Sequence, residues 1–415
     1  MRNGIRTLIG NRLACVLCLA VFVSAPAARA GEAGGSWQIG TPIATYWAGP
    51  SLTDTVAKQM AEGGFNLVWC SEKELDVAQR HGLRAQLTDG LLAPATLDDP
   101  ARREQLDALI VRVSKHPAMY AYFITDEPGA AQFPALGKLV SYLRERDPAH
   151  LAYINLFPTY ANNQQLGTQG DVVIAYKEHL RLYVEQVKPS LISYDHYQFQ
   201  LKVDGDQYFL NLAMIRRAAQ DAGAPFLNIV QACTWAPDAM RIPNPDELRY
   251  LVYSTVAYGA QGISYYVYAH PNHLGSLVNL DGVPGPLYQA VKSYNPEFVA
   301  IAKELQPLRS LGVYHTAMRE PGCVPMPADA AFRVESSQSP ASPRGFLLGV
   351  FGAADKPTHV VVVNLDYKAG ANGSLKGPGD LELFDAKAAQ WISGKKPAID
   401  LTLPPGGGAL ARIAQ

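Results

Sequence analysis

The sequence predicts a parallel (β/α)8 barrel followed by a small, antiparallel, sandwich-like β domain, and three observations lead to this prediction. Eight short runs of β-forming residues alternate with helical patterns across residues 41–310. Such repeated alternation is the order expected of a parallel barrel. No Gly-x-Gly-x-x-Gly turn follows the first run, which disfavours an open dinucleotide-binding sheet. Beyond about residue 311 the helical patterns stop, and only strand-like runs remain.

The first thirty residues have the pattern of an export signal. A basic start precedes an apolar run at residues 13–23, which is too short to span a bilayer, and Ala28-Arg29-Ala30 supplies a small-x-small cleavage pattern. We therefore expect cleavage after Ala30, a Gly-rich leader at residues 31–40, and a secreted or periplasmic protein. No later stretch has 18 consecutive apolar residues, so no membrane span is expected in the mature chain.

Composition excludes several classes of protein. Lys and Arg total 36 against 37 Asp and Glu, so no basic surface for nucleic acid is indicated. Hydrophobic residues make up 48% of the chain, which is enough for a large core. Three widely spaced cysteines follow the predicted cleavage site, Cys70, Cys233 and Cys323, with neither a disulfide framework nor metal-ligand spacing. We predict no cofactor and no metal.

The predicted barrel elements follow one another along the chain. The strands are residues 43–47, 65–70, 83–87, 119–124, 151–155, 191–194, 226–230 and 262–268. The helices are residues 52–62, 74–81, 101–115, 135–146, 176–187, 208–222, 245–258 and 287–304. The seventh helix has the clearest start, because Asn244 can cap it and Pro245 suits its first turn.

The C-terminal part lacks strong helical patterns. We predict a loop-rich connection at residues 311–343 and a β domain at residues 344–415, with strands at 345–351, 359–364, 381–384 and 408–413. Trp391 is its only tryptophan, so a structural role is favoured over a sugar-binding one.

Polar and aromatic residues terminate the eight predicted strands. Because barrel enzymes place their chemistry at the carboxyl ends of the strands, these residues form the candidate site. Carboxylates and amides bind hydroxyl groups and aromatic rings stack on sugar faces, so a carbohydrate substrate is expected. The candidates are Tyr46, Trp47, Trp69, Glu72, Asp89, Asp126, Glu127, Asn155, Asp195, His196, Tyr197, Gln231, Trp235, Tyr268 and His270.

The adjacent carboxylates Asp126 and Glu127, followed by Pro128, end the fourth strand. Mutual repulsion and partial burial should raise the pKa of one of the two, as a general acid at near-neutral pH requires. Asp195 is the best second carboxylate and could act as a base, a nucleophile or a sugar-hydroxyl acceptor. Alternatively, it only braces the rim. The spacing of His270 and His273 is a weak indication of metal.

With these residues in place, residues 41–311 resemble the superfamily of retaining glycoside hydrolases that includes β-galactosidases and cellulases. The resemblance depends on strand order, the Asp126-Glu127-Pro128 element and the segment 280–292. It implies that Glu127 is the acid/base and that Asp126 stands where the family has Asn. The family nucleophile is a Glu at the end of the seventh strand, where this chain has Gln231.

Three interpretations of that departure stay open. Asp195 could replace the nucleophile or act as the base of an inverting route. The substrate could supply its own nucleophile, since the Asp126-Glu127 pair is also similar to the pair of β-hexosaminidases. Finally, the barrel could only bind glycan, or act as a lyase with Tyr197 or Tyr268 as base. We predict a secreted glycosidase with Glu127 as its acid.

Overall fold

The computed structural model describes residues 42–337 and 342–414, and it confirms the predicted barrel. The predicted export segment, its cleavage site after Ala30 and the leader lie outside these residues. Eight parallel strands form the first sheet, and each corresponds to a predicted run. They are β1 Ile43–Trp47, β2 Leu67–Cys70, β3 Arg84–Leu87, β4 Met119–Asp126, β5 Leu151–Leu156, β6 Ile192–His196, β7 Phe226–Gln231 and β8 Gly262–Tyr266.

The strands pair in the order β1-β8-β7-β6-β5-β4-β3-β2, and Asn66 links the two ends of this sheet. The Asn66 backbone N–H donates to the Ala44 carbonyl at 3.0 Å, and the Ala44 N–H donates to Asn66 Oδ1 at 3.0 Å. Thr45 Oγ1 also donates to the Leu67 carbonyl at 2.8 Å. Side-chain hydrogen bonds thus replace part of the backbone ladder that would join β1 to β2, and the barrel is nearly closed.

Helices follow the strands around the barrel. They are α1 Asp54–Glu62, α2 Leu75–Arg80, α3 Pro100–Val113, α4 Phe133–Arg146, α5 Asn163–Leu166, α6 Val172–Val187, α7 Tyr208–Ala222, α8 Pro245–Ala257 and α9 Pro286–Leu305, with 3-10 turns at Glu72–Glu74, Pro94–Asp98 and Ala130–Gln132. The predicted cap of α8 is confirmed: Asn244 Oδ1 accepts from the Glu247 N–H at 3.0 Å. Among the described residues, none of the helices combines the length and apolarity needed to cross a bilayer.

The barrel interior follows the period-two alternation of a strand. Its lower layers are apolar and include Leu67, Leu151, Leu227 and Ile229. Toward the carboxyl ends of β5 and β6, the residues at the inward-facing positions are polar or ionisable instead. The carboxyl end of the barrel is therefore the place where functional groups collect.

The C-terminal part forms one antiparallel sheet of seven strands. Its strands are β9 Arg309–His315, β10 Arg333–Ser336, β11 Phe346–Ala353, β12 Lys356–Asn364, β13 Ala371–Asp385, β14 Gln390–Leu403 and β15 Gly408–Ile413. The four predicted strands correspond to β11, β12, part of β13 and β15. The segment predicted as a connection contains β10 and most of β9. The strand β14, which carries no continuous apolar run, was not predicted.

Both faces of this sheet are covered. Alternate residues of β11 separate the two sides: Leu347 and Phe351 join the core shared with the barrel, while Leu348 and Val350 join a second core within the β domain. Trp391 Nε1 donates to Glu304 Oε2 on α9 at 2.9 Å. The C-terminal sheet therefore shares a core with the barrel and braces it.

Candidate active site

A cavity of about 320 Å3 opens among the loops at the carboxyl end of the barrel. Seven of the fifteen candidate residues line it, together with three that the sequence analysis did not name. The ten lining residues are Trp47, Asp126, Glu127, Asn155, Tyr160, Gln165, Asp195, Tyr197, Trp235 and Tyr266.

An irregular strand end brings two adjacent carboxylates to this cavity. Neighbouring residues of a regular strand point to opposite faces, so Asp126 and Glu127 could not both line the cavity in an ideal strand. The register of β4 shifts between Phe123 and Thr125, and Glu127 has a left-handed backbone with φ of 45°. Such a conformation costs a non-glycine residue about 1–2 kcal/mol, and such outliers cluster at functional sites. The Glu127 N–H donates to the Asn155 carbonyl at 2.9 Å, which holds the turn.

Asn155 connects the carboxylates of β4 and β6. Its Nδ2 donates to Asp126 Oδ1 at 3.0 Å and to Asp195 Oδ1 at 2.8 Å. Its Oδ1 accepts from Ser193 Oγ at 2.9 Å, and Ser193 Oγ lies 2.7 Å from the Tyr153 hydroxyl. Because Oδ1 accepts from a hydroxyl, both amide hydrogens are directed at carboxylates.

Glu127 and Asp195 lie within hydrogen-bonding distance of each other. Burial, followed by the charge of Asp126, raises the pKa of Glu127 from 4.5 to about 7. Asp195 is only 3% exposed, and its burial, followed by repulsion from Glu127, raises its pKa well above the ordinary value. The pair therefore retains at least one proton at neutral pH. Asp126 is the most exposed of the three carboxylates.

Aromatic rings form another part of the cavity lining, which we call the aromatic wall. Tyr197, Trp235 and Tyr266 contact one another with ring centroids 5.0 Å apart in every pair. Trp47 on β1 pairs in register with Tyr266 on β8, so it continues the wall. In the strand order β8 lies four strands from β4, so Tyr266 stands across the barrel from Asp126 and Glu127, whereas Tyr197 directly follows β6 and adjoins Asp195.

The cavity has no cationic side chain of its own. Among the described residues that line it, none is Lys or Arg. Three carboxyl groups therefore share the site without an internal counter-charge. Such a site repels anionic ligands and suits neutral or cationic ones.

Three candidate residues lie just outside the cavity. Tyr46 and His196 face away from the barrel interior: Tyr46 packs against Phe65, and His196 Nδ1 lies 2.9 Å from Asn211 Oδ1. Burial lowers the pKa of His196 to about 4, so this imidazole is neutral. Trp69 faces inward beneath the site, and its ring lies 4.9 Å from that of Trp47.

Four further candidates lie away from the cavity. Glu72 forms an ion pair with Arg112 at 2.6 Å, and Asp89 accepts from a backbone N–H two residues ahead. Tyr268 is buried and donates to Gln59 at 2.6 Å. His270 lies on an exposed loop.

Gln231 ends β7 on the inward side, but its amide is fully occupied. Its Oε1 accepts from the Phe199 N–H at 2.8 Å, while Nε2 donates to the carbonyls of Phe199, Cys233 and Arg241. Gln231 therefore holds the loops after β6 and β7 together and does not line the cavity.

Tyr160, Gln165 and Tyr266 line the cavity but were not named from the sequence. Tyr266 occupies the inward position at the end of β8, and strand alternation from Gly262 could have identified it. Tyr160 and Gln165 belong to the loop and short helix after β5, where the sequence has no periodic signal. The Tyr160 hydroxyl accepts from the Tyr197 N–H at 3.3 Å, which fixes it against the aromatic wall.

Among the described residues, no group of three or more His, Cys, Asp and Glu side chains is arranged to hold a metal ion. The Nδ1 atoms of His270 and His273 lie 2.9 Å apart on their loop. Cys70, Cys233 and Cys323 are all free thiols.

The fold and the site together define a (β/α)8-barrel protein with a carboxyl-lined, aromatic-walled cavity. No protein-family model and no curated protein matches the sequence. Among solved structures, the β-galactosidase of Bacillus circulans sp. alkalophilus is 9% identical with a TM-score of 0.50, and the match covers 90% of this chain and 99% of that one. The β-galactosidase of the haloarchaeon Halorubrum lacusprofundi is 12% identical with a TM-score of 0.49, and the match covers 89% of this chain and 98% of that one.

A glycoside hydrolase family 5 mannosidase from Rhizomucor miehei is 14% identical with a TM-score of 0.44, over 66% of this chain and 98% of that one. At these identities the similarity shows a shared fold and nothing finer. What this site does must therefore be argued from its own geometry.

Proposed function

We propose that this protein is a glycoside hydrolase in which Glu127 protonates the leaving group. One observation carries the proposal. Glu127, a carboxyl group with a pKa near 7, adjoins the buried carboxyl of Asp195, and both line a cavity that aromatic rings also line. A general acid must be protonated at working pH and still able to give up its proton, and a pKa near 7 meets both needs.

The two walls of the cavity support a sugar substrate. Sugar rings have apolar faces that pack on aromatic rings, and their hydroxyl groups bond to carboxylates and amides. The volume of about 320 Å3 is at the small end for small-molecule sites, which favours recognition of one terminal sugar residue over a long glycan segment. The lack of Lys and Arg disfavours uronic acids and sulfated sugars.

The contact between Glu127 and Asp195 bears on the mechanism. Two-carboxylate glycosidases separate their carboxyl groups by about 5–5.5 Å for retention and about 6.5–9.5 Å for inversion. The hydrogen bond between the pair raises the pKa of Asp195 and lowers that of Glu127. We therefore assign Asp195 the role of a buried, protonated neighbour that donates to Glu127, while burial and the charge of Asp126 keep the pKa of Glu127 raised. Asp126 is then the remaining carboxylate, available to activate water or to orient an acetamido group that acts as the internal nucleophile.

The two alternative functions have weaker support. A lyase needs a tyrosine that ionises readily, but burial raises the pKa of Tyr266 to about 12 and raises that of Tyr197 well above its ordinary value. Tyr268 is bonded elsewhere. A protein that only binds sugar has no use for an acid with a raised pKa, so turnover with an alkaline limb near pH 7 would exclude simple binding.

We propose export of the protein from the pattern of its first thirty residues. Expression of the full chain with its natural N-terminus, followed by N-terminal sequencing of the exported form, should give a chain that begins at Gly31. A product that retains Met1 would contradict this proposal.

The test of function is a screen of the purified protein against aryl glycosides, N-acetylhexosaminides and oligosaccharides, with reducing ends as the readout. We expect hydrolysis of at least one neutral glycoside and an alkaline limb of kcat/KM near pH 7. Activity confined to N-acetylhexosaminides would assign the nucleophile to the substrate. Release of an unsaturated, ultraviolet-absorbing sugar, or no turnover across the panel, would contradict the proposal.

A further inference from the structure

A second and larger groove lies at the same end of the barrel, between the loops that follow β7 and β8. Its volume is about 910 Å3. Four aliphatic side chains in it are unusually exposed: Ile242 by 44%, Leu274 by 54%, Leu280 by 69% and Val283 by 58%. We call this feature the aliphatic groove.

The chemistry of the aliphatic groove differs from that of the carboxyl-lined cavity. Its described lining has no Asp, Glu, Lys or Arg and no Phe, Tyr or Trp, and it is rich in Pro, Val, Leu and Ile. Scattered exposed aliphatic residues are ordinary, whereas several in one concave surface mark a binding site. Without aromatic rings the groove offers no stacking platform for sugar, so it suits an apolar chain or ring.

The loops that form the groove are well connected. The N–H groups of Thr234 and Leu274 each donate to the carbonyl of the other, at 2.9 and 2.8 Å. Asn279 Oδ1 accepts from the N–H groups of Asp281 and Val283 at 3.0 and 2.8 Å. These hydrogen bonds tie together the loops that form the groove.

His273 joins the groove to the cavity. It lines the groove, and its Nε2 lies 3.2 Å from the Tyr266 hydroxyl. Its ring centroid is 5.4 Å from that of Tyr266 and 6.0 Å from that of Trp235, and both of those rings line the cavity. The groove therefore begins directly behind the aromatic rings of the cavity, with His273 packed against Tyr266 and Trp235 between the two spaces.

We propose that the aliphatic groove binds the apolar aglycone of a glycoside whose sugar occupies the carboxyl-lined cavity. This inference rests on the proposed glycosidase function and narrows it to substrates with alkyl or other hydrocarbon leaving groups. Each methylene buried in the groove should improve kcat/KM by up to about fourfold. An octyl chain that buries only part of its length should then be favoured over methyl by at least about tenfold.

The test compares the octyl and methyl glycosides of the sugar that the wild-type protein hydrolyses, below the micelle concentration. We expect an octyl-to-methyl ratio of kcat/KM of at least about ten in the wild type. The ratio should fall toward one in the double variant Leu280→Ser, Val283→Ser, whose exposed side chains contribute little to the core. Val111→Ser, which changes a residue 71% exposed on α3, should keep the wild-type ratio.

Separate outcomes distinguish failure of this inference from failure of the proposed function. Hydrolysis with a ratio near one, or an unchanged ratio in the double variant, overturns the aglycone site and leaves the glycosidase. A gain from longer sugar chains without a gain from alkyl chains also overturns it. If no glycoside is hydrolysed, the aglycone site is tested by measuring the binding of octyl and methyl glycosides by calorimetry. Tighter binding of the octyl glycoside that is lost in the double variant supports the aglycone site. Equal binding of the two glycosides refutes it.

Discussion

Replacing Asp126 by Asn should move the alkaline limb of the pH–rate profile to lower pH. Glu127 must be protonated to donate, so kcat/KM falls as pH rises through its pKa. The negative charge of Asp126 disfavours ionisation of Glu127 and is the second cause, after burial, of its raised pKa. An amide removes this charge while it can still bond to Asn155, so Glu127 should lose its proton more readily.

The structure also sets the size of this shift. Burial and the charge of Asp126 together raise the pKa of Glu127 from 4.5 to about 7. Because burial is the largest cause, the charge of Asp126 supplies a smaller part, and we expect the limb to fall by about one pH unit. It should then lie near pH 6.

The assay is kcat/KM from pH 4 to 9 for the wild type and Asp126→Asn, with the substrate identified in the panel. Asp76→Asn removes the same charge from an exposed position on α2 and should leave the limb unchanged. The readout is the pH position of the alkaline limb, not the rate, because Asp126 is also the carboxylate available to activate water or to orient an acetamido group. An alkaline limb that stays in place or rises would refute the assignment of this titration to Glu127.

Three other predictions test the supports of the site. Asn155→Ala removes the donor shared by two carboxylates, so kcat/KM should fall at least about tenfold and the free energy of unfolding by about 1–3 kcal/mol, measured by kinetics and urea denaturation; wild-type values in both would contradict the network. Gln231→Glu should lower stability by about 2 kcal/mol or more without new activity, because a carboxylate would face three backbone carbonyls; a gain in glycosidase activity would show that this position acts as the family nucleophile. Gly349→Ala, on β11, directs a Cβ at the carbonyl oxygen of Ala257 on α8, so calorimetry should give a lower melting temperature than for the wild type. An unchanged melting temperature would mean that β11 and α8 separate easily.

The barrel could be predicted from the sequence because its strands are short apolar runs separated by helical patterns. All eight parallel strands correspond to predicted runs, and β1 was predicted at its observed bounds. The β domain was harder, since β14 has no continuous apolar run and is held by pairing with β13. Long-range pairing of that kind leaves little trace in local sequence.

The site was only partly predictable, and strand alternation explains much of the difference. Tyr46 and Trp47 are adjacent, so only one of them can face the interior, and the structure directs Trp47 inward. The same applies to Asp195 and His196. Asp126 and Glu127 escape this rule because a register shift and a left-handed residue interrupt the strand. Nothing in the residue types indicates such an irregularity.

The direct contact between Glu127 and Asp195 could not be inferred from sequence, since they lie on β4 and β6 and meet only through barrel curvature. This contact changes the interpretation of Asp195. The sequence suggested a base or a nucleophile, whereas a buried carboxyl bonded to Glu127 is better suited to hold a proton.

The most direct test of the central claim is the dependence of Glu127→Gln on the leaving group. Loss of a general acid slows departure of a poor leaving group, such as an alcohol, far more than that of an activated phenol, which needs little protonation. We predict a loss of at least about a hundredfold in kcat/KM for alkyl glycosides and a much smaller loss for dinitrophenyl glycosides of the same sugar. Glu62→Gln, at an exposed site on α1, should match the wild type on both. Equal losses on both substrates, or none, would contradict the assignment of Glu127 as the acid.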